Sequence, residues 1–132
     1  MPEPTPNALR VLVVDDNRDA AESLAVLLEL SGYRVLTAAD GYSGLSAAKE
    51  FKPDVILLDI GLPGMNGYAV AKALRQDPNS HHVRVIAISG YCGEEERERS
   101  RQAGFDLYLV KPVDPELLQG LLQERTPLSP CR

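Results

Sequence analysis

Five short apolar runs alternate with helix-period segments along this chain, and that alternation restricts the fold more than any other feature. The runs are RVLVV, YRVLTA, DVILL, VRVIAI and LYLV. They carry apolar side chains on both faces, as strands do when helices cover both sides of a sheet. Strict alternation of strand and helix implies right-handed crossovers and a parallel sheet. The expected architecture is α/β: a doubly wound five-stranded parallel sheet, order 2-1-3-4-5, with five flanking helices. That order sets strands one and three side by side.

The helical segments have legible ends. The first runs from about Asn17 to Leu30, with Ala20, Ala21, Leu24, Leu27 and Leu28 at helical spacing and a stop at Ser31-Gly32. The second follows Asp40, a good N-cap, and ends before Pro53, with Tyr42, Leu45, Ala48 and Phe51 recurring along it. The third spans about Asn66 to Arg75, with Val70 and Leu74 one turn apart. The fifth opens on Asp114 as cap and Pro115 at its first position, and Leu117, Leu118, Leu121 and Leu122 form its expected buried stripe. The fourth, GEEERERSRQA, has almost no apolar residue before Ala103. Its glutamates suit a helix N-terminus. It reads either as a solvated surface helix or as an element free to shift when a neighbouring site changes.

A chain of 132 residues is one domain's worth and needs no staples. The expected domain covers residues 9–124, between a Pro-rich tail at 1–8 and a second tail at 125–132. The net charge of -5 argues against nucleic acid as a direct partner. No apolar stretch reaches a membrane span, and the N-terminus lacks a signal-peptide core, so a cytoplasmic location is expected. Cys92 and Cys131 lack metal or redox spacing and read as plain thiols.

Polar residues stand at the carboxyl ends of four of the five runs. Asp15 and Asp16 follow the first, Asp59 the third, Ser89 the fourth and Lys111 the fifth. Ligands of open α/β sheets bind at those ends, so the five residues should meet in one crevice. Two carboxylates about 4 Å apart repel by about 4 kcal/mol at an effective dielectric of 20. Three together call for a cation, a proton or a nearby lysine. Mg²⁺ suits such oxygen ligands and keeps waters that a phosphate can replace. Carboxylates, Mg²⁺, lysine and a hydroxyl describe a site for a transferring phosphoryl group. Each piece alone has a plainer reading: a capping turn for Asp15-Asp16, a solvated strand end for Asp59, a turn for Ser89-Gly90, a loop for Lys111-Pro112. Their joint placement carries the functional reading.

With these pieces the chain resembles the receiver domains of two-component response regulators, the CheY-like family with a flavodoxin-like sheet. The matching segments are VLVVDDN at 11–17, DVILLDIGLPGMNGY at 54–68, AISG at 87–90 and YLVKPVD at 108–114. The resemblance implies that Asp59 is the phosphoacceptor. It implies that Asp16 is a direct metal ligand, that Asp15 acts mostly through water, and that Gly61 adds its backbone carbonyl. Ser89 matches the hydroxyl that bonds phosphoryl oxygens, and Lys111 the family's lysine, with a cis peptide bond to Pro112. Tyr108 matches an aromatic that swings inward on activation; its plain reading is a half-buried strand tyrosine. Two departures stand out: Gly90, where the family often has alanine, and the bulky Tyr91. Both bear on the lifetime of an acyl phosphate.

The implied partners are a histidine kinase or histidine phosphotransfer protein as donor, and a downstream protein or a fused kinase domain as recipient of the signal. AGFDLYLVKPVD is similar to receivers fused to hybrid sensor kinases. The implied chemistry is confined to the protein's own phosphorylation and dephosphorylation, with helix four, strand five and helix five as the responding surface. Two other classes fit less well. An aspartyl-nucleophile Mg²⁺ hydrolase would want an acid/base carboxylate two residues past Asp59, where Gly61 stands. A pure interaction module would not need the intact set of five.

Overall fold

The computed structural model describes residues 9–62, 64–80, 82–90 and 93–124. The expected tails lie outside these residues, as do Tyr91, Cys92 and Cys131. Strands β1 (Arg10–Val14), β2 (Arg34–Ala38), β3 (Val55–Asp59), β4 (Arg84–Ser89) and β5 (Leu107–Val110) form one parallel sheet in the order β2-β1-β3-β4-β5. Helices α1 (Arg18–Leu30), α2 (Gly41–Phe51), α3 (Gly67–Gln76), α4 (Glu94–Ala103) and α5 (Pro115–Glu124) connect and flank the strands.

Two cores explain the layering. On one face Val11, Val13, Leu57 and Ile86 pack with Ala21 and Leu28 of α1 and with Leu118, Leu121 and Leu122 of α5. On the other, Leu12, Ile56, Leu58 and Val85 pack with Ala48 of α2, with Val70, Ala71 and Leu74 of α3, and with Ala103 of α4. Successive strand residues feed opposite cores, as period-two geometry requires. β3 is buried along its whole length. β2 is not: as an edge strand it leaves Leu36 40% exposed, so burial on both faces fails there.

Helix starts follow their caps. The side chains of Asn17, Asp40 and Asn66 accept from the N–H groups of Ala20, Ser43 and Ala69 at 3.1, 2.7 and 3.0 Å. Asp114 accepts from the Glu116 N–H at 2.9 Å. Each bond satisfies one of the otherwise orphaned donors of a first turn. α4 begins at Gly93 with no side-chain cap. The α5 stripe is narrower than expected: Leu118, Leu121 and Leu122 are buried, but Leu117 turns outward at 38% exposure. α2 buries Gly41, Gly44 and Ala48, with Gly44 against Val14 of β1, and Tyr42 faces solvent. Small residues there let the helix axis approach the strands closely.

Candidate functional site

The register builds the site. Val14 pairs with Leu58 across β1 and β3, so the next residues, Asp15 and Asp59, stand level at the carboxyl edge. Both are buried, each 7% exposed. Asp16 is exposed beside them, and one carboxylate oxygen from each of the three lies within 4.8 Å of the others. Lys111 reaches across from the end of β5. Its Nζ stands 3.2 Å from Asp59 Oδ2 and 3.5 Å from Asp15 Oδ2.

The two buried carboxylates are held alike. Asp15 Oδ1 accepts the Asn17 N–H at 2.9 Å, and Asp59 Oδ1 accepts the Gly61 N–H at 3.0 Å. Each therefore gives one oxygen to the backbone two residues on and turns the other toward Lys111. The family resemblance singled out Gly61 for its carbonyl; the hydrogen bond from its N–H to Asp59, and the part of Asn17, had no sequence signal, because every non-proline residue carries an N–H.

Electrostatics follow from burial and neighbours. Burial pushes the Asp15 carboxyl above its ordinary pKa, and the charge of Asp59 adds to this; the Asn17 N–H and Lys111 pull the other way without prevailing. For Lys111, burial alone would lower the pKa, but the hydrogen bond and charge of Asp59, with Asp15 behind them, outweigh it and raise it. Lys111 is thus fixed as a cation at neutral pH.

Ser89 ends β4, next to the strand that carries Asp59, and its carbonyl accepts the Lys111 N–H at 2.7 Å. The Lys111–Pro112 peptide bond is cis. Gly90 is exposed, with open space where a Cβ would stand. Tyr108 pairs with Ala87 and is buried, 5% exposed, in the core that also holds Ala103 and Phe105. It is thus more enclosed than a half-buried strand tyrosine.

Three hard oxygen donors on two adjacent strands, open to solvent on the Asp16 side, form a donor set that fits a divalent cation such as Mg²⁺. Lys111 alone balances only part of that charge. Beside the cluster a groove of about 520 Å³ runs between α1 and the start of α5, with Asp15 and Lys111 in its wall and Leu24, Leu27 and Val113 along it. A larger cleft of about 630 Å³ lies at the amino ends of β3 and β4, lined by Lys49, Lys52 and Asp77, and contains none of these residues.

The family described as the response regulator receiver domain matches residues 11–123. The response regulator PleD of Caulobacter vibrioides is 38% identical over 117 residues, covering 89% of this chain and 26% of PleD. The chain thus spans about a quarter of that relative's length. Protein PilH of Pseudomonas aeruginosa is 37% identical over 109 residues, 83% of this chain and 90% of PilH. Among solved structures, the chemotaxis response regulator CheY4 of Vibrio cholerae superposes with a TM-score of 0.85 at 31% identity, covering 91% of this chain and 100% of CheY4. The receiver domain of the sensor histidine kinase PA1611 of Pseudomonas aeruginosa superposes with a TM-score of 0.80 at 34% identity, covering 88% of this chain and 95% of that one. That structure has a magnesium ion coordinated in its active site cleft. Among the described residues of this chain, no helix is long and apolar enough to cross a membrane.

Proposed function

The chain belongs to the receiver domains of two-component response regulators, and from that premise we propose that Asp59 accepts a phosphoryl group from a phosphohistidine on a partner protein. One observation carries the assignment: of the two buried carboxylates, Asp59 is the one that accepts a hydrogen bond from Lys111 Nζ, at 3.2 Å against 3.5 Å to Asp15, while the Gly61 N–H holds its other oxygen. The donor is a histidine kinase or a histidine phosphotransfer protein.

In the reaction a carboxylate oxygen of Asp59 attacks phosphorus in line with the departing imidazole nitrogen. The P–N bond breaks as the O–P bond of an acyl phosphate forms, and water later returns the carboxylate. Catalysis of such a step is positioning plus electrostatics. Asp15, Asp16, Asp59 and the carbonyl of Gly61 would hold Mg²⁺, which supplies charge neutralisation for the phosphoryl oxygens when bound. Lys111 contributes the fixed positive charge on the other side. Ser89, at the end of the neighbouring strand, donates its hydroxyl to a phosphoryl oxygen. Its movement, with Tyr108 and the loop after β4, changes the surface of α4, β5 and α5 that a downstream protein or fused kinase domain reads. The protein acts on itself alone and works as a switch. The domain proper is residues 9–124, acting in the cytoplasm without direct contact with nucleic acid or membrane.

The proposal is tested by incubating the protein with acetyl phosphate and Mg²⁺ and weighing it intact. A single phosphoryl adduct is expected, absent in Asp59→Asn. An undiminished adduct in that variant would move the acceptor elsewhere.

A further inference from the structure

Two glycines outside the acidic cluster bear on the segment that carries Asp59. Gly67 is the first residue of α3, and its N–H donates to the Ile60 carbonyl at 3.0 Å. A Cβ at Gly67 would stand 2.7 Å from Ile60 Cα and 2.8 Å from the Asp59 carbonyl oxygen. Gly41 is the first residue of α2, and a Cβ there would stand 2.8 Å from the Met65 carbonyl oxygen and 2.8 Å from Val70 Cγ2. Both glycines are buried. Neither has a positive φ, so local conformation does not demand glycine at either place; close approach does.

The contacts fall at the two ends of one loop. α3 closes on Asp59 and Ile60, and α2 closes on Met65 five residues further along the chain. Most of the obstructing atoms are backbone, which cannot rotate aside as a side-chain tip can. The same loop holds Gly61, whose N–H fixes Asp59 Oδ1. We propose that Gly41 and Gly67 are positioning residues for Asp59: their missing side chains let α2 and α3 clamp the β3–α3 loop, so that the carboxylate is held between the Gly61 N–H and Lys111. The inference rests on the reading of Asp59 as phosphoacceptor. It adds that acceptor geometry is set by helix starts that carry none of the charged groups.

The test compares Gly67→Ala, Gly41→Ala and a control, Gly120→Ala in α5, where a Cβ meets nothing within 4 Å. Two readouts separate positioning from packing. The first is hydrogen exchange of the Gly61 amide in metal-free protein. The second is the rate of adduct formation per folded molecule with acetyl phosphate and Mg²⁺. In Gly41→Ala and Gly67→Ala the amide should exchange about tenfold faster and the adduct form at least about tenfold more slowly, as expected for a displaced reacting group. Gly120→Ala should stay within about twofold of wild type on both. Adding Val70→Ala to Gly41→Ala removes the Val70 obstacle but leaves the Met65 carbonyl and Cβ, so the rate should remain low. If Gly41→Ala melts earlier yet its folded molecules keep wild-type Gly61 exchange and rate, the glycines serve packing alone and the inference falls. Should Gly67→Ala fail to fold, the Gly41 variants decide. A wild-type protein that takes no adduct would overturn the phosphoacceptor reading, while the Gly61 amide would still judge the clamp.

Discussion

Asp15 is the residue whose environment opposes its own charge. Burial raises its pKa, and Asp59 raises it further. A carboxyl whose folded pKa lies above its unfolded value favours the native state most below the unfolded pKa. That contribution is lost as pH rises through the folded pKa. At neutral pH the ionised Asp15 therefore weighs against the metal-free fold. Asp15→Asn should raise the melting midpoint of metal-free protein at pH 7, since an amide oxygen can still accept the Asn17 N–H. The gain should shrink toward pH 4, where the wild-type carboxyl takes up its proton. A midpoint lowered by the substitution at pH 7 would mean that the ion pair with Lys111 outweighs burial. At this scale the sequence was informative about charged groups, because Asp15, Asp59, Ser89 and Lys111 each sit where an apolar run stops. It was silent about Asn17, Gly41 and Gly67, whose parts are played by a backbone N–H or a missing side chain.

Among the helices, α4 has the weakest grip on the rest of the fold. Its buried residues are Ser100 and Ala103, and the Ser100 hydroxyl has no hydrogen-bond partner. A buried unmatched hydroxyl costs about 1–3 kcal/mol. What holds α4 is largely polar and lies toward its C-terminal end: Arg99 stacks 4.3 Å over the Tyr68 ring, and Arg75 donates to the Gly104 carbonyl at 2.8 Å and pairs with Asp106 at 2.8 Å. Its start, next to the Ser89-Gly90 loop, lacks a side-chain cap. α5 instead buries three leucines fully, each worth about 1.5–3 kcal/mol. Hydrogen exchange should therefore show α4 opening faster than α1 and α5. Beryllofluoride with Mg²⁺ should alter protection in residues 89–110 more than in residues 20–50. Equal protection of α4 and α5, unchanged by the mimic, would place the switch on another surface. The sparse apolar content of α4 was plain in GEEERERSRQA. The outward turn of Leu117 and the exposed edge of β2 were not, because periodicity marks which residues can be buried and not how wide a face the neighbours cover.

At the scale of the whole molecule, strand alternation and strand-end chemistry were legible together, since topology alone brings the ends of β1, β3, β4 and β5 to one edge. The separations of 3.2 and 3.5 Å about Lys111 were not, because they depend on side-chain reach across β4. A cation bound to the native acidic cluster stabilises the entire fold by mass action, by about 2.7 kcal/mol at a hundred times Kd. Millimolar Mg²⁺ should therefore raise the melting midpoint by several degrees, and Asp16→Ala should remove most of the shift; no shift in the wild type would count against the site. The central claim is that the phosphoryl group resides on Asp59, and mapping it tests this most directly. After phosphorylation with acetyl phosphate and Mg²⁺, borohydride reduction converts an aspartyl phosphate to homoserine, which peptide mass spectrometry can place. Homoserine at position 59 and nowhere else is the predicted result. Homoserine at position 15 or 16, or a phosphoryl adduct that resists borohydride, would contradict it.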